Sequence, residues 1–241
     1  MRRSIRASGS RMAEMGAASI VDLAKGADLF KGFSPSEVES LLYRFNGVKK
    51  SFGKEETVAH AGLEVKRLFV VVSGRLRVYE KTAHGHQIFV REICAGEVLG
   101  MWILFTPEIT CWPGTVVAAE PSILISLDMS VVRRMMEMAA PEMARFSSNV
   151  SKILAREFFS SWRKMTVMNA PTIEAKIQMY LTELNNETGN TCVVKVPFDR
   201  ERMAEYFGVT RPALSRSLGH LRDRGLISWR KNEFRINFGD L

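Results

Sequence analysis

The residues from Asp199 to Asn237, DRERMAEYFGVTRPALSRSLGHLRDRGLISWRKNEFRIN, constrain this chain more than any other stretch, because capping, turn, stripe and hairpin signals follow one another there and agree. Asp199 can accept the unpaired amide protons of a first helical turn, which predicts a short helix from Arg200 to Phe207. Gly208 ends it. Thr210 is a second N-cap, and Pro212 falls in the next first turn, where a missing N–H costs nothing and the fixed φ favours helix entry. The second helix is expected to run to Asp223. At roughly 100° per residue, Leu214, Leu218 and Leu221 form a narrow apolar stripe, while Arg211, Ser215, Arg216 and Gly219 occupy another sector. Two short helices around a tight glycine turn are the helix-turn-helix arrangement, whose second helix enters the DNA major groove.

Leu226 to Trp229, a polar tip at Arg230-Lys231-Asn232, and Phe234 to Ile236 predict a hairpin that reads as a wing; Cys192 to Phe198 predicts a strand before the first helix. Charge agrees. Between Tyr206 and Lys231 six basic residues, Arg211, Arg216, Arg222, Arg224, Arg230 and Lys231, stand against a single acid, Asp223. Arginine's planar fork can bond a guanine O6/N7 edge bidentately, and Ser215 can bond a base or a phosphate. A solvated amphipathic helix with ordinary surface arginines is the plainer reading, and the agreement of the neighbouring signals outweighs it.

The run MAEYFGVTRPALSRSLGHLRDRGLI resembles the DNA-binding domain of the Crp/Fnr family, the bacterial transcription regulators related to the cyclic-AMP receptor protein. The resemblance implies base-contacting roles for Arg211, Ser215 and Arg216. DNA-backbone contacts are expected from Thr210, Arg222, Arg230 and Lys231. Pro212 departs from the pattern: many members carry there a glutamate that accepts from cytosine, so the family's usual operator sequence does not carry over.

At 241 residues the chain is long enough for two domains. Its mean hydropathy of −0.04, and the lack of any uninterrupted apolar stretch near the roughly 20 residues of a membrane span, exclude an integral membrane protein. A net charge of +8 suits a polyanionic partner without identifying one. Residues 1–18 hold Arg2, Arg3, Arg6 and Arg11 against Glu14 and lack the apolar core of a secretory signal. They read as a disordered basic tail, upstream of a start at Met12 or Met15, or alternatively as an extra DNA-contacting arm. Cys94, Cys111 and Cys192 are widely spaced with no CxxC pair, which fits a reducing cytoplasm. Some family members hold an iron–sulfur cluster on a cysteine group near the N-terminus; this chain has no cysteine before Cys94.

Upstream, Ile20 to Phe45 carries helical spacing with a start at Ser34-Pro35-Ser36-Glu37. From Val48 brief β-type runs follow, Leu68 to Val72, Leu76 to Tyr79, Ile88 to Ile93 and Val116 to Leu127, punctuated by glycines. Their order resembles the family's double-stranded β-roll, the cyclic-nucleotide-binding-like sensor domain, here assigned to residues 19–127. Nucleotide-binding members carry a Gly-Glu pair for the ribose and an Arg-Ser or Arg-Thr pair for the cyclic phosphate, and a buried phosphate needs such a cation. This chain has Gly100-Met101 and, near the phosphate positions, Trp112-Pro113, a degenerate cassette that predicts no cyclic-AMP binding. Met101, Trp102, Trp112 and Thr115 are candidates for an apolar effector pocket; equally, such side chains fill the space a nucleotide would occupy.

The haem ligands of the family's gas sensors fall near Gly100 and Trp102 and do not carry over; His60 is a surface or core histidine on the ordinary reading. His84-Gly85-His86 with Glu92 resembles a cupin metal motif, but its spacing is wrong and Gly85 predicts a hairpin tip that splays the histidines. No metal, cofactor or catalytic residue is assigned.

Residues 128–168 form the connector. From Glu142 to Met168 no glycine or proline intervenes, and Phe146, Val150, Ile153, Leu154, Phe158, Trp162 and Met165 follow steps of three and four. This reads as a parallel dimerisation helix, with a long core helix as the plainer alternative. Asn169 to Thr172 is the expected hinge, and residues 169–241 the winged-helix domain. The fold class is therefore α+β, and the expected function a homodimeric, cytoplasmic, sequence-specific transcription regulator, not an enzyme. Its partners would be a pseudo-palindromic duplex, a small effector that is not cyclic AMP, and RNA polymerase if it activates. The alternatives are a regulator that binds DNA constitutively and a cupin-like metal enzyme with a DNA module.

Overall fold

The computed structural model describes residues 19–82, 84–85, 87–138, 141–189, 191–197 and 199–238. The basic tail at residues 1–18 lies outside the described residues, as do His86 and Phe198. The chain divides into two compact units, Met1–Arg156 and Glu157–Leu241.

In the first unit, α1 (Ile20–Ala24) and α2 (Pro35–Arg44) precede eight strands: β1 (Val48–Phe52), β2 (Thr57–Ala59), β3 (Arg67–Ser73), β4 (Arg75–Lys81), β5 (Gln87–Cys94), β6 (Val98–Leu99), β7 (Thr115–Ala118) and β8 (Ser122–Asp128). Then come α3 (Met129–Met136) and α4 (Pro141–Met168). A capping box starts α2: the Ser34 hydroxyl accepts from the Glu37 amide while the Glu37 carboxylate accepts from the Ser34 amide.

The strands pair antiparallel in two four-stranded sheets, ordered β1-β8-β3-β6 and β2-β7-β4-β5. This is the β-roll that the sequence predicts, with two differences: β1, β2 and β6 lie outside the predicted runs, and one predicted run is divided. The apolar run Val116 to Leu127 is two strands in different sheets, because Pro121 has no amide to donate to a ladder and the chain turns there. Both sheets feed one core, which includes Leu68, Val70 and Ile125 from the first and Leu76, Ile93 and Val116 from the second.

The early part of α4 belongs to that same core. Phe146 is wholly buried with its ring 5.1 Å from that of Phe45, and Val150 and Ile153 are buried beside it, with Leu154 packed at the edge. Polar anchors reinforce the contact: Asn149, itself buried, donates to the carbonyls of Leu29 (3.1 Å) and Lys31 (2.9 Å), and Arg156 pairs with Asp28 at 2.7 Å. This corrects the sequence reading of a single dimerisation stripe. Phe146, Val150 and Ile153 are consumed inside their own chain's core.

The second unit begins within α4, at Glu157. It continues with α5 (Ile173–Glu187), β9 (Val193–Lys195), α6 (Arg200–Phe207), α7 (Arg211–Asp223), β10 (Ile227–Arg230) and β11 (Glu233–Ile236). The sheet is ordered β10-β11-β9 and antiparallel. Its core gathers Val167, Ile177, Leu181, Phe207, Leu214, Leu218 and Phe234. Because Val167 is fully buried there and Met168 packs against it, the end of α4 is part of this unit. The unit boundary thus falls inside the helix rather than at the expected hinge, where Thr172 instead caps α5 by accepting from the Ala175 amide.

Candidate nucleic-acid interface

Local chemistry builds the two-helix motif as the residues predict. Asp199 accepts from the Arg202 amide at 2.9 Å and starts α6; Gly208, at φ 64°, takes the left-handed conformation that ends it. Thr210 accepts from the Ala213 amide at 3.4 Å and starts α7, with Pro212 in its first turn. The helix then sorts its residues by face. Leu214, Leu218 and Leu221 are buried in the core, whereas Arg211, Ser215 and Arg216 are exposed together. Glu174, in the first turn of α5, fixes the far end of α7: its carboxylate lies 3.1 Å from both His220 Nδ1 and Arg224 Nη1.

The wing forms from β10 and β11, which pair Ile227 with Ile236 and Arg230 with Glu233. Its tip is two residues, Lys231-Asn232, one shorter than the sequence suggests, and Lys231 takes a φ of 56°. The preceding strand is also shorter than predicted, because Cys192 adopts a left-handed φ of 57° and cannot extend β9.

Two residues to which sequence reasoning gave no role organise this surface. Arg200 lays its guanidinium over Trp229 (5.4 Å) and Phe234 (4.7 Å) and donates to the Lys231 carbonyl at 3.2 Å, tying the wing tip to α6. Burial lowers its pKa from the ordinary arginine value. Glu201 accepts from Arg211 Nη1 at 3.4 Å. Both contacts join residues from different elements, so no local pattern announces them.

Arg222, expected at the DNA backbone, donates from Nε (3.0 Å) and Nη2 (2.9 Å) to the adjacent Asp223 and lies 5.7 Å from the Trp229 ring centre. Its charge is therefore shared with groups of its own chain. Thr210, Arg230 and Lys231 are exposed. Behind the motif, Lys164 sits over the Tyr206 ring at 5.3 Å, and burial pushes the Tyr206 phenol up to about 12, so it stays neutral.

The predicted effector cassette behaves differently. Gly100, at φ 88°, takes a conformation that residues with side chains rarely adopt, and a Cβ there would press on the Trp112 ring at 3.0 Å. Met101 and Trp112 are buried within the roll's core, with Trp112 6.3 Å from Phe69. Trp102 faces outward, and the Thr115 hydroxyl accepts from the Ala61 amide at 3.3 Å. Two of the four residues, Met101 and Trp112, thus lie in the interior. His84 is exposed at a turn, and Glu92, the carboxylate of the cupin-like reading, is bonded to Arg75 and Arg77 at 3.4 Å each. His60 is exposed, and the three cysteines are free and exposed. No helix among the described residues is long and apolar enough to cross a membrane.

Comparison with known proteins agrees with this geometry. Residues 49–138 match the model of the cyclic nucleotide-binding domain, and residues 175–238 that of the Crp-like helix-turn-helix domain. The chain is 22% identical over 183 residues to electron transport regulator A of Shewanella oneidensis, covering 74% of this chain and 70% of that protein. It is 19% identical over 205 residues to a CRP-like cAMP-activated global transcriptional regulator of Mycobacterium tuberculosis, covering 83% of this chain and 88% of that one. Among solved structures, a CooA variant from Carboxydothermus hydrogenoformans superimposes with a TM-score of 0.66 at 17% identity, over 83% of this chain and 86% of that chain, a likeness of fold.

Proposed function

We propose that this chain, which belongs to the Crp/Fnr family of bacterial transcription regulators, reads its operator through the exposed face of α7. The observation that carries the reading is the segregation on that helix: three leucines anchor it while Arg211, Ser215 and Arg216 face outward together. Arg211 and Arg216 bond guanine edges, Ser215 a base or a phosphate, and Thr210, Arg230 and Lys231 phosphates. Family members are regulators and not enzymes, and no catalytic role is assigned to any residue.

The regulator acts as a homodimer through the outer face of the later part of α4, where Phe158, Trp162 and Met165 are exposed beside Phe159. A two-fold assembly calls for a pseudo-palindromic site whose half-sites lie about 34 Å apart, one helical turn. DNA as partner supports a cytoplasmic location.

The roll senses a small molecule other than cyclic AMP. Support comes from Met101 and Trp112, which fill the cassette with apolar side chains where a cyclic phosphate would require a cation. An open cleft of about 380 Å³, whose lining includes Val65, Lys66, Ile109, Asp128, Met129 and Arg133, offers a ligand room elsewhere in the same unit. A regulator without an effector is the rival; operator affinity measured with and without cell extract separates the two.

Selection of bound fragments from a random duplex library tests the central reading. A two-fold related consensus is the expected result. Recovery of no consensus at modest ionic strength, or equal losses on selected and random duplex for Arg211→Ala, would refute it.

A further inference from the structure

We infer that Glu201 is a positioning residue that sets sequence specificity, by holding Arg211 in the pose that reads a base edge; this rests on the base-reading role proposed above for Arg211. The two residues come from different helices, Glu201 from the first turn of α6 and Arg211 from the first residue of α7. Their ion pair spans 3.4 Å, and the side chains are 62% (Arg211) and 64% (Glu201) exposed. A pair so open to water adds little to stability. Its consequence is for what Arg211 can bind.

A guanidinium offers five N–H donors on three nitrogens. The carboxylate engages Nη1, and among the described residues Nε and Nη2 have no partner. Those two nitrogens form one edge of the fork, an edge able to bond guanine O6 and N7 bidentately. Glu201 thus leaves the reading edge free while it restrains the rotation of a long side chain.

The carboxylate also discriminates between the two kinds of acceptor on DNA. A phosphate that approaches Arg211 meets a like charge a few ångströms behind it, whereas a guanine edge carries no net charge and is not repelled. An acid this close to a base-reading guanidinium lowers affinity for any polyanion. What it contributes in return is a lower affinity for the wrong contact than for the right one.

The test uses the full chain and two duplexes of equal length, one recovered by selection and one scrambled. Glu201→Gln is expected to tighten binding to the scrambled duplex about threefold and to leave the selected duplex unchanged or weaker, so that the specificity ratio falls by about threefold or more. Freed from its acid, Arg211 takes a phosphate on the scrambled duplex, and the log–log salt slope there steepens by about 0.9. In an Arg211→Ala background the same glutamine is expected to change the ratio no further. Equal tightening on both duplexes, or a full additional loss in the Arg211→Ala background, overturns the inference, because the carboxylate would then be acting as bulk charge. A ratio that collapses in Arg211→Ala yet is intact in Glu201→Gln overturns it while leaving the base-reading role standing. If Arg211→Ala itself keeps the full ratio, that role falls and takes the inference with it.

Discussion

The two halves of α4 carry one continuous apolar stripe in sequence and meet opposite fates. Phe146, Val150 and Ile153 are 0%, 1% and 5% exposed, sealed into the core of the roll, while Phe158, Trp162 and Met165 are 73%, 48% and 55% exposed. In the later half Phe159 stacks on Trp162 at 5.8 Å, and Arg163 lies 5.0 Å over Phe159, so these two exposed rings form a contiguous patch. Patches of that kind mark surfaces awaiting a partner. The difference teaches that a 3.6-residue period identifies a face that must be covered and is silent about what covers it. One half is covered by its own chain, and the other half is the surface proposed for the second copy.

Substitutions along the helix can break or sharpen this contrast. The largest effect is expected from Phe146→Ala, which should destabilise the first unit by about 3–5 kcal/mol, read by chemical denaturation, with any loss of dimer following from unfolding. A near-neutral result would return Phe146 to the interface. Leu218→Ala makes the same point within α7, costing about 2–5 kcal/mol of stability, while Arg216→Ala on the opposite face should leave the melting curve in place. Phe158→Ala and Trp162→Ala should each leave chain stability nearly unchanged but weaken self-association by about 2 kcal/mol, seen by sedimentation equilibrium. If both variants dimerise as tightly as the parent, the exposed half has another purpose. Arg211→Ala should cost about 1–3 kcal/mol on the selected duplex and little on a random one. Smallest of all, Lys231→Ala should weaken every duplex alike and flatten the salt slope by about 0.9.

Much of the recognition unit was legible because its signals are local. The caps at Asp199 and Thr210, the left-handed Gly208 and the leucine stripe each act within three or four residues, and the structure places α6 and α7 where those signals put them. The roll was legible as strands and glycine turns, except for the short or mostly polar β1, β2 and β6, which no predicted run covered, and at Pro121, where one apolar run hides two strands. Less could be read at the cassette. Met101 and Trp112 had the composition of a pocket and of a filled interior alike, and only the structure shows both buried in the roll's core. Arg222 read as a free cation until Asp223 and Trp229 were seen to hold it.

What the sequence determined by itself, then, is the winged helix-turn-helix, its outward arginines and the β-roll that precedes it, since near-neighbour sterics and hydrogen bonds dictate these. Only the tertiary structure decided which half of the long helix is consumed by its own core, how Arg200 ties down the wing, and that Glu201 stands beside Arg211. Those outcomes depend on contacts between segments such as Phe45 and Phe146, or Arg200 and Lys231, that lie far apart along the chain. Packing alone brings such pairs together, and no periodicity in the sequence encodes which partner each will meet.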